Sequence, residues 1–119
     1  MSEEAVKITH ENGYDAAAVQ PLPVGDGVDV AVIAAENLRR SGHQKIAEDI
    51  EARIRLGERK YGTRLKSHNG RDAWLDAYQE ALDCINYAQQ VHTEHLDDGE
   101  LFDRAVELAA YIEGKMRSR

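Results

Sequence analysis

The sequence predicts an all-α fold: a four-helix, bundle-like core preceded by a flexible N-terminal arm. Three observations carry that expectation. Four stretches place apolar residues at helical spacing, short polar or Gly-containing links separate them, and both prolines fall together at Pro21 and Pro23, outside all four. At 119 residues the chain is long enough for one domain with a modest core, so the expected organisation is an arm over 1–25 and a helical domain over 26–119.

Residues 1–25 lack sustained periodicity, with "AVKIT" at most a short strand, and "QPLPVGDG" stops regular structure. From Asp29, "DVAVIAAENLRR" is composed of good helix formers with Val30, Ile33, Ala34 and Leu38 on one face, and Ser41-Gly42 ends it. A second helix is expected from about Gln44 to Lys60, with Ile46, Ile50, Ile54 and Tyr61 in one stripe and Gly57 and Gly62 weakening its last turns. Asn69-Gly70 marks a turn in the following loop. The third helix, Asp72 to about Val91, sets Trp74, Ala77, Tyr78, Ala81, Ile85 and Ala88 on one face, bordered by Leu75 and Leu82. Asp72, Asp76, Glu80 and Asp83 share the opposite face. After "DDG" a fourth helix runs from about Glu100 to Met116, with Leu101, Ala105, Leu108, Ala109 and Ile112 as its apolar stripe.

Composition narrows the function classes. With 42% hydrophobic and 31% charged residues, and no apolar run near ~20 residues, neither a disordered nor a membrane-spanning chain is expected. The N-terminus shows no basic region followed by an apolar one, so the expected location is cytoplasmic. Cys84 is the single cysteine, which excludes a disulfide framework. A net charge of −7 makes nucleic acid an improbable partner, but the charge is divided. Residues 53–71 hold seven Arg and Lys against Glu58, whereas residues 72–107 hold ten acids against Arg104. That boundary suits an anionic ligand held together with its metal.

The acids of the third helix repel one another at i, i+3 and i, i+4, at ~0.2–0.5 kcal/mol per pair. The helix dipole offsets this only within about the first turn, so Glu80 and Asp83 need another compensation. Water and salt can supply it. So can Mg²⁺ or Mn²⁺, which take carboxylate oxygens together with substrate phosphate oxygens. Lys60, Arg64 and Lys66 in the adjoining loop would then meet the remaining phosphate charge. His92 and His95 are also three apart but have no evident third ligand, His68 lies in the loop, and there is no P-loop, dinucleotide fingerprint or nucleophile elbow.

The stretch "KYGTRL…NGRDAWLDAYQEALDCINYAQQ" resembles MazG-like all-α nucleotide pyrophosphohydrolases, particularly small phage and prophage members, over about residues 44–95. Glu80-Ala-Leu-Asp83 followed by "CINYA" matches that family's E-x-x-D helix. Its earlier E-E-x-x-E helix is matched in part by Glu48, Asp49 and Glu51, with Ala52 where the last Glu would fall. The resemblance implies cleavage of a nucleoside triphosphate between its α and β phosphates. It implies Mg²⁺ (or Mn²⁺) on Glu48, Asp49, Glu51, Glu80 and Asp83, with Glu48, Glu51, Glu80 and Asp83 serving catalysis. The candidate nucleotide-binding and phosphate-binding set is Arg59, Lys60, Tyr61, Arg64, Lys66, Asn69 and Arg71. A homo-oligomer, dimer or tetramer, is implied as well. Two alternatives stand beside it: a phage-type protein that binds a nucleotide or nucleotide-derived signal without turnover, motivated by Ala52, and a helical protein-interaction module.

Overall fold

The structure is a computed structural model that describes residues 14–25, 27–62 and 65–119, the Tyr61 side chain excepted. The expected "AVKIT" strand and Arg64 lie outside the described residues. The fold is all-α, with helices α1 (Val30–Arg40), α2 (Gln44–Tyr61), α3 (Ala73–His95) and α4 (Glu100–Arg117). Among the described residues no helix is long and apolar enough to cross a membrane. The chain divides into two compact units: Pro21–Arg71, and Asp72–Arg119 together with the described part of Met1–Gln20.

In the Pro21–Arg71 unit, α1 starts where the Asp29 side chain accepts the Val32 N–H at 3.3 Å, and Arg39 and Arg40 face its negative end. Its partner is α2, which ends as Gly62 adopts φ 72° and returns its N–H to the Glu58 carbonyl at 2.8 Å. The two helices pack against each other, and Ala35 and Ala47 are buried on them. Ile33 and Ile46, expected in the core, are 44% and 50% exposed. With one helical neighbour inside the unit, each helix buries a narrow strip, and small residues in that strip permit close approach.

Beyond α2 the chain turns back along the segment that precedes α1. Val24 N–H donates to the Asn69 carbonyl (2.8 Å), Ser67 N–H to the Val28 carbonyl (2.9 Å) and Val30 N–H to the Leu65 carbonyl (3.2 Å), with an antiparallel bridge at Asp29 and Lys66. "QPLPVGDG" is therefore no loose tether. Its prolines forbid helix, but an extended chain can still hydrogen-bond through its remaining N–H groups. Gly27 is what lets the two segments approach, because a Cβ there would lie 2.0 Å from the Ser67 carbonyl oxygen.

The second unit packs α3 against α4 around Leu75, Ala81, Ala109, Ile112 and Met116. The Asp72 side chain caps α3, which extends to His95 rather than Val91 because Leu96, in the left-handed region, closes the last turn onto the His92 carbonyl. Trp74, Leu101 and Leu108, expected in the apolar stripes, are substantially exposed, and Leu75 takes the buried position. Residues 14–20, read from sequence as part of a flexible arm, are clasped to this unit. Tyr14 is buried edge-on to Tyr78 and donates its hydroxyl to Glu113 at 3.3 Å. Burial first, then Tyr78 and Glu113, push its pKa up to about 12. Gln79 donates to the carbonyls of Ala16 (3.0 Å) and Ala18 (2.8 Å).

Two glycines separate steric need from conformational tolerance. Gly27→Ala is expected to cost about 1–3 kcal/mol through the clash with Ser67. Gly57→Ala, within α2 with open space around its Cβ position, should gain about 0.5–1 kcal/mol. Urea unfolding checks both, and equal effects at the two positions would contradict the close approach at Gly27.

Candidate functional site

The four acids of α3 separate into two kinds. Asp72 caps the helix by accepting the Trp74 and Leu75 N–H groups at 3.1 and 3.3 Å. It also takes both arms of the Arg119 guanidinium, at 3.0 and 2.7 Å. That hydrogen-bonded fork is the largest cause holding its carboxyl below the usual range, and the capping N–H groups add to it. The backbone of Asp72 is bound by Gln20, whose amide oxygen accepts the Asp72 N–H and whose Nε2 donates to the Asp72 carbonyl (3.1 Å). The same Nε2 donates to Asp76 Oδ1 at 2.8 Å. Glu80 and Asp83 differ. Both are exposed, and neither has a hydrogen-bond or ion-pair partner among the described residues.

Every acid of the α2 set has a neighbour. Glu48 accepts from Gln44 Nε2 at 3.1 Å and Asp49 from Lys45 Nζ at 2.9 Å. Glu51 takes both arms of Arg39. The Arg39 hydrogen bonds, followed by the charges of Arg39 and Arg55, hold the Glu51 carboxyl below its usual range despite some desolvation. Among the described residues no group of three or more His, Cys, Asp or Glu side chains converges to hold a metal ion. The Glu80 and Asp83 pair fits a hard cation that draws its other ligands from water and phosphate. Glu51 does not fit, because a cation there would have to displace the Arg39 guanidinium.

The basic loop also sorts its members. Asn69 is buried; its Oδ1 accepts the Arg71 N–H at 3.1 Å and its carbonyl takes Val24 N–H, so it shapes the loop and is not available as a ligand contact. Arg71 donates Nη1 to the Pro21 carbonyl at 2.6 Å, which commits that arm to the same seam. The Lys66 backbone forms the bridge to Asp29. Arg59 lies on the last turn of α2, exposed, beside Arg55 and Glu58 in a cleft of about 380 Å³. Arg55 was outside the candidate set because only its charge, and not its place in a cleft, is visible in sequence. Lys60 follows Arg59 on the exposed end of α2.

At the α3–α4 turn, His92 Nδ1 lies 2.8 Å from Asp97 Oδ1, which also accepts the Gly99 N–H at 3.2 Å. This ties the turn together, and it leaves the His92 and His95 pair as a structural feature. In comparisons with protein-family models, curated proteins and solved structures, no match to this chain was found.

Asp72 gives the site's acid dependence. Its folded-state pKa is depressed, so its stabilising contribution is present above the ordinary carboxylate pKa and is lost as pH falls through the folded-state value. Asp72→Asn, unfolded by urea between about pH 6 and pH 3, should show a shallower loss of stability than the parent chain. Parallel curves would contradict the Arg119 pairing.

Proposed function

We propose that the chain is a Mg²⁺-dependent nucleotide pyrophosphohydrolase that converts a (d)NTP to (d)NMP and pyrophosphate. The observation that carries this reading is the unpaired Glu80 and Asp83 pair, kept exposed on adjacent turns of α3 while Asp72, Asp76 and the α2 acids all have partners. Two like charges at this spacing cost helix stability, and a bound cation offsets that cost. The likeness of "EALDCINYA" to the E-x-x-D helix of MazG-like enzymes supports the same assignment. Glu80 and Asp83 would hold the metal, which when bound neutralises phosphate charge. Of the α2 acids, Glu51 is least suited to accepting a proton, since Arg39 stabilises its charged form.

A second reading, capture of a nucleotide without turnover, is favoured by Ala52 and by the commitment of Glu51 to Arg39. The exposed Trp74, Leu101, Leu108 and Tyr111 support self-association into a dimer or tetramer, or use of the chain as a protein-interaction module. Light scattering that gives only a monomer mass would remove the oligomer.

Incubation with a panel of (d)NTPs and Mg²⁺ should release pyrophosphate, with Glu80→Ala and Asp83→Ala each slowing release by about a hundredfold or more. Absence of pyrophosphate from every nucleotide, or release indifferent to both substitutions, would sink the enzymatic reading. Ligand bound and recovered intact would favour the second.

A further inference from the structure

We propose that α2 carries an oxyanion site for a polyphosphate tail, formed by the guanidinium groups of Arg55 and Arg59. It takes the nature of its ligand from the nucleotide reading above, while the described residues of the cleft belong to the Pro21–Arg71 unit alone. Arg55 and Arg59 are one turn apart, about 40° around the helix, and line the cleft of about 380 Å³ with Glu58. That volume falls within the range of small-molecule sites. Neither arginine has a hydrogen-bond or ion-pair partner among the described residues. By contrast, Arg39 is held by Glu51, Lys45 by Asp49, Arg104 by Glu100, Arg117 by Glu113 and Arg119 by Asp72.

Two like charges at i, i+4 repel, and a shared anion turns that repulsion into attraction. Each guanidinium presents a planar fork that fits phosphoryl oxygens, and two forks one turn apart suit linked phosphoryl groups better than one carboxylate. Asn69 and Arg71 serve the loop's own hydrogen bonds, which shifts anion binding from the loop to this helix. Glu58 brings the charge of the described lining residues to about +1, and the C-terminal end of α2 opposes anions through its dipole. Binding here therefore depends on the two side chains rather than on backbone N–H groups, and it weakens with salt.

Calorimetry with inorganic tripolyphosphate tests the site, because the probe lacks base and sugar. The parent chain should bind it, and Arg55→Ala and Arg59→Ala should each weaken binding about tenfold or more. Arg53→Ala, about 160° around the helix from Arg55, should change it less than about twofold. Circular dichroism verifies that each variant keeps its helices, and Arg55→Gln and Arg59→Gln stand in for any alanine variant that does not. The proposal is overturned if tripolyphosphate does not bind, if the Arg55 and Arg59 variants bind it as the parent does, or if Arg53→Ala weakens it equally. Arginine-dependent binding without pyrophosphate release from any (d)NTP rejects the enzymatic reading and leaves the site standing. Pyrophosphate release combined with arginine-independent binding does the reverse.

Discussion

The N-terminus of α3 is the junction on which the Asp72–Arg119 unit depends. One residue, Asp72, caps the helix with its carboxylate, receives the Arg119 fork on the same group and is bound through its backbone by Gln20. The N-cap and about the first two turns of α3 are thus tied to residues 14–20, through Gln20 at Asp72 and Asp76 and through Gln79 at Ala16 and Ala18. Packing against α4 occupies another side of the helix through Leu75 and Ala81. With both sides fixed, the rotation of α3 about its axis is fixed too. Glu80 and Asp83 are then exposed by construction and not by chance.

Charge pairing decides which acids remain available for chemistry. Carboxylates near a guanidinium in the same unit have formed forks, as Glu51 has with Arg39 and Asp72 with Arg119. Such groups give up solvent contacts in exchange for charge-assisted hydrogen bonds and become poor metal ligands. Glu80 and Asp83 remain exposed to solvent and keep their mutual repulsion, which a divalent cation would relieve. Arg55 and Arg59 are the cationic counterpart: two like charges, neither held in an ion pair among the described residues, lining a cleft.

Sequence periodicity made the four helices legible, since Asp29, Gly62 and Asp72 carry local capping information that needs no tertiary context. Core membership was less legible. Ile33, Ile46 and Leu108 have the hydrophobicity expected of a buried stripe, but Ala35, Ala47, Ala105 and Ala109 are among the residues that are buried, and their small size matters only once two helices meet. The clasp of residues 14–20 was hidden because it rests on Gln20 and Gln79 reaching backbone carbonyls and amides across more than fifty positions of chain. In the candidate site, the placing of Glu80 and Asp83 on the exposed face of α3 could be read from helical spacing. The structural roles of Asn69 and Arg71 could not, because a buried amide and a carbonyl-bound arginine look like loop ligands until their partners are known.

The central claim is that α3, through Glu80 and Asp83, is where this chain meets a divalent cation. Mn²⁺ added to the ¹⁵N-labelled protein with tripolyphosphate tests it most directly, because a bound paramagnetic ion broadens the amide signals nearest to it. The strongest broadening should centre on residues 80–83 and disappear in Glu80→Ala. Broadening centred elsewhere, or none at all, would contradict the account.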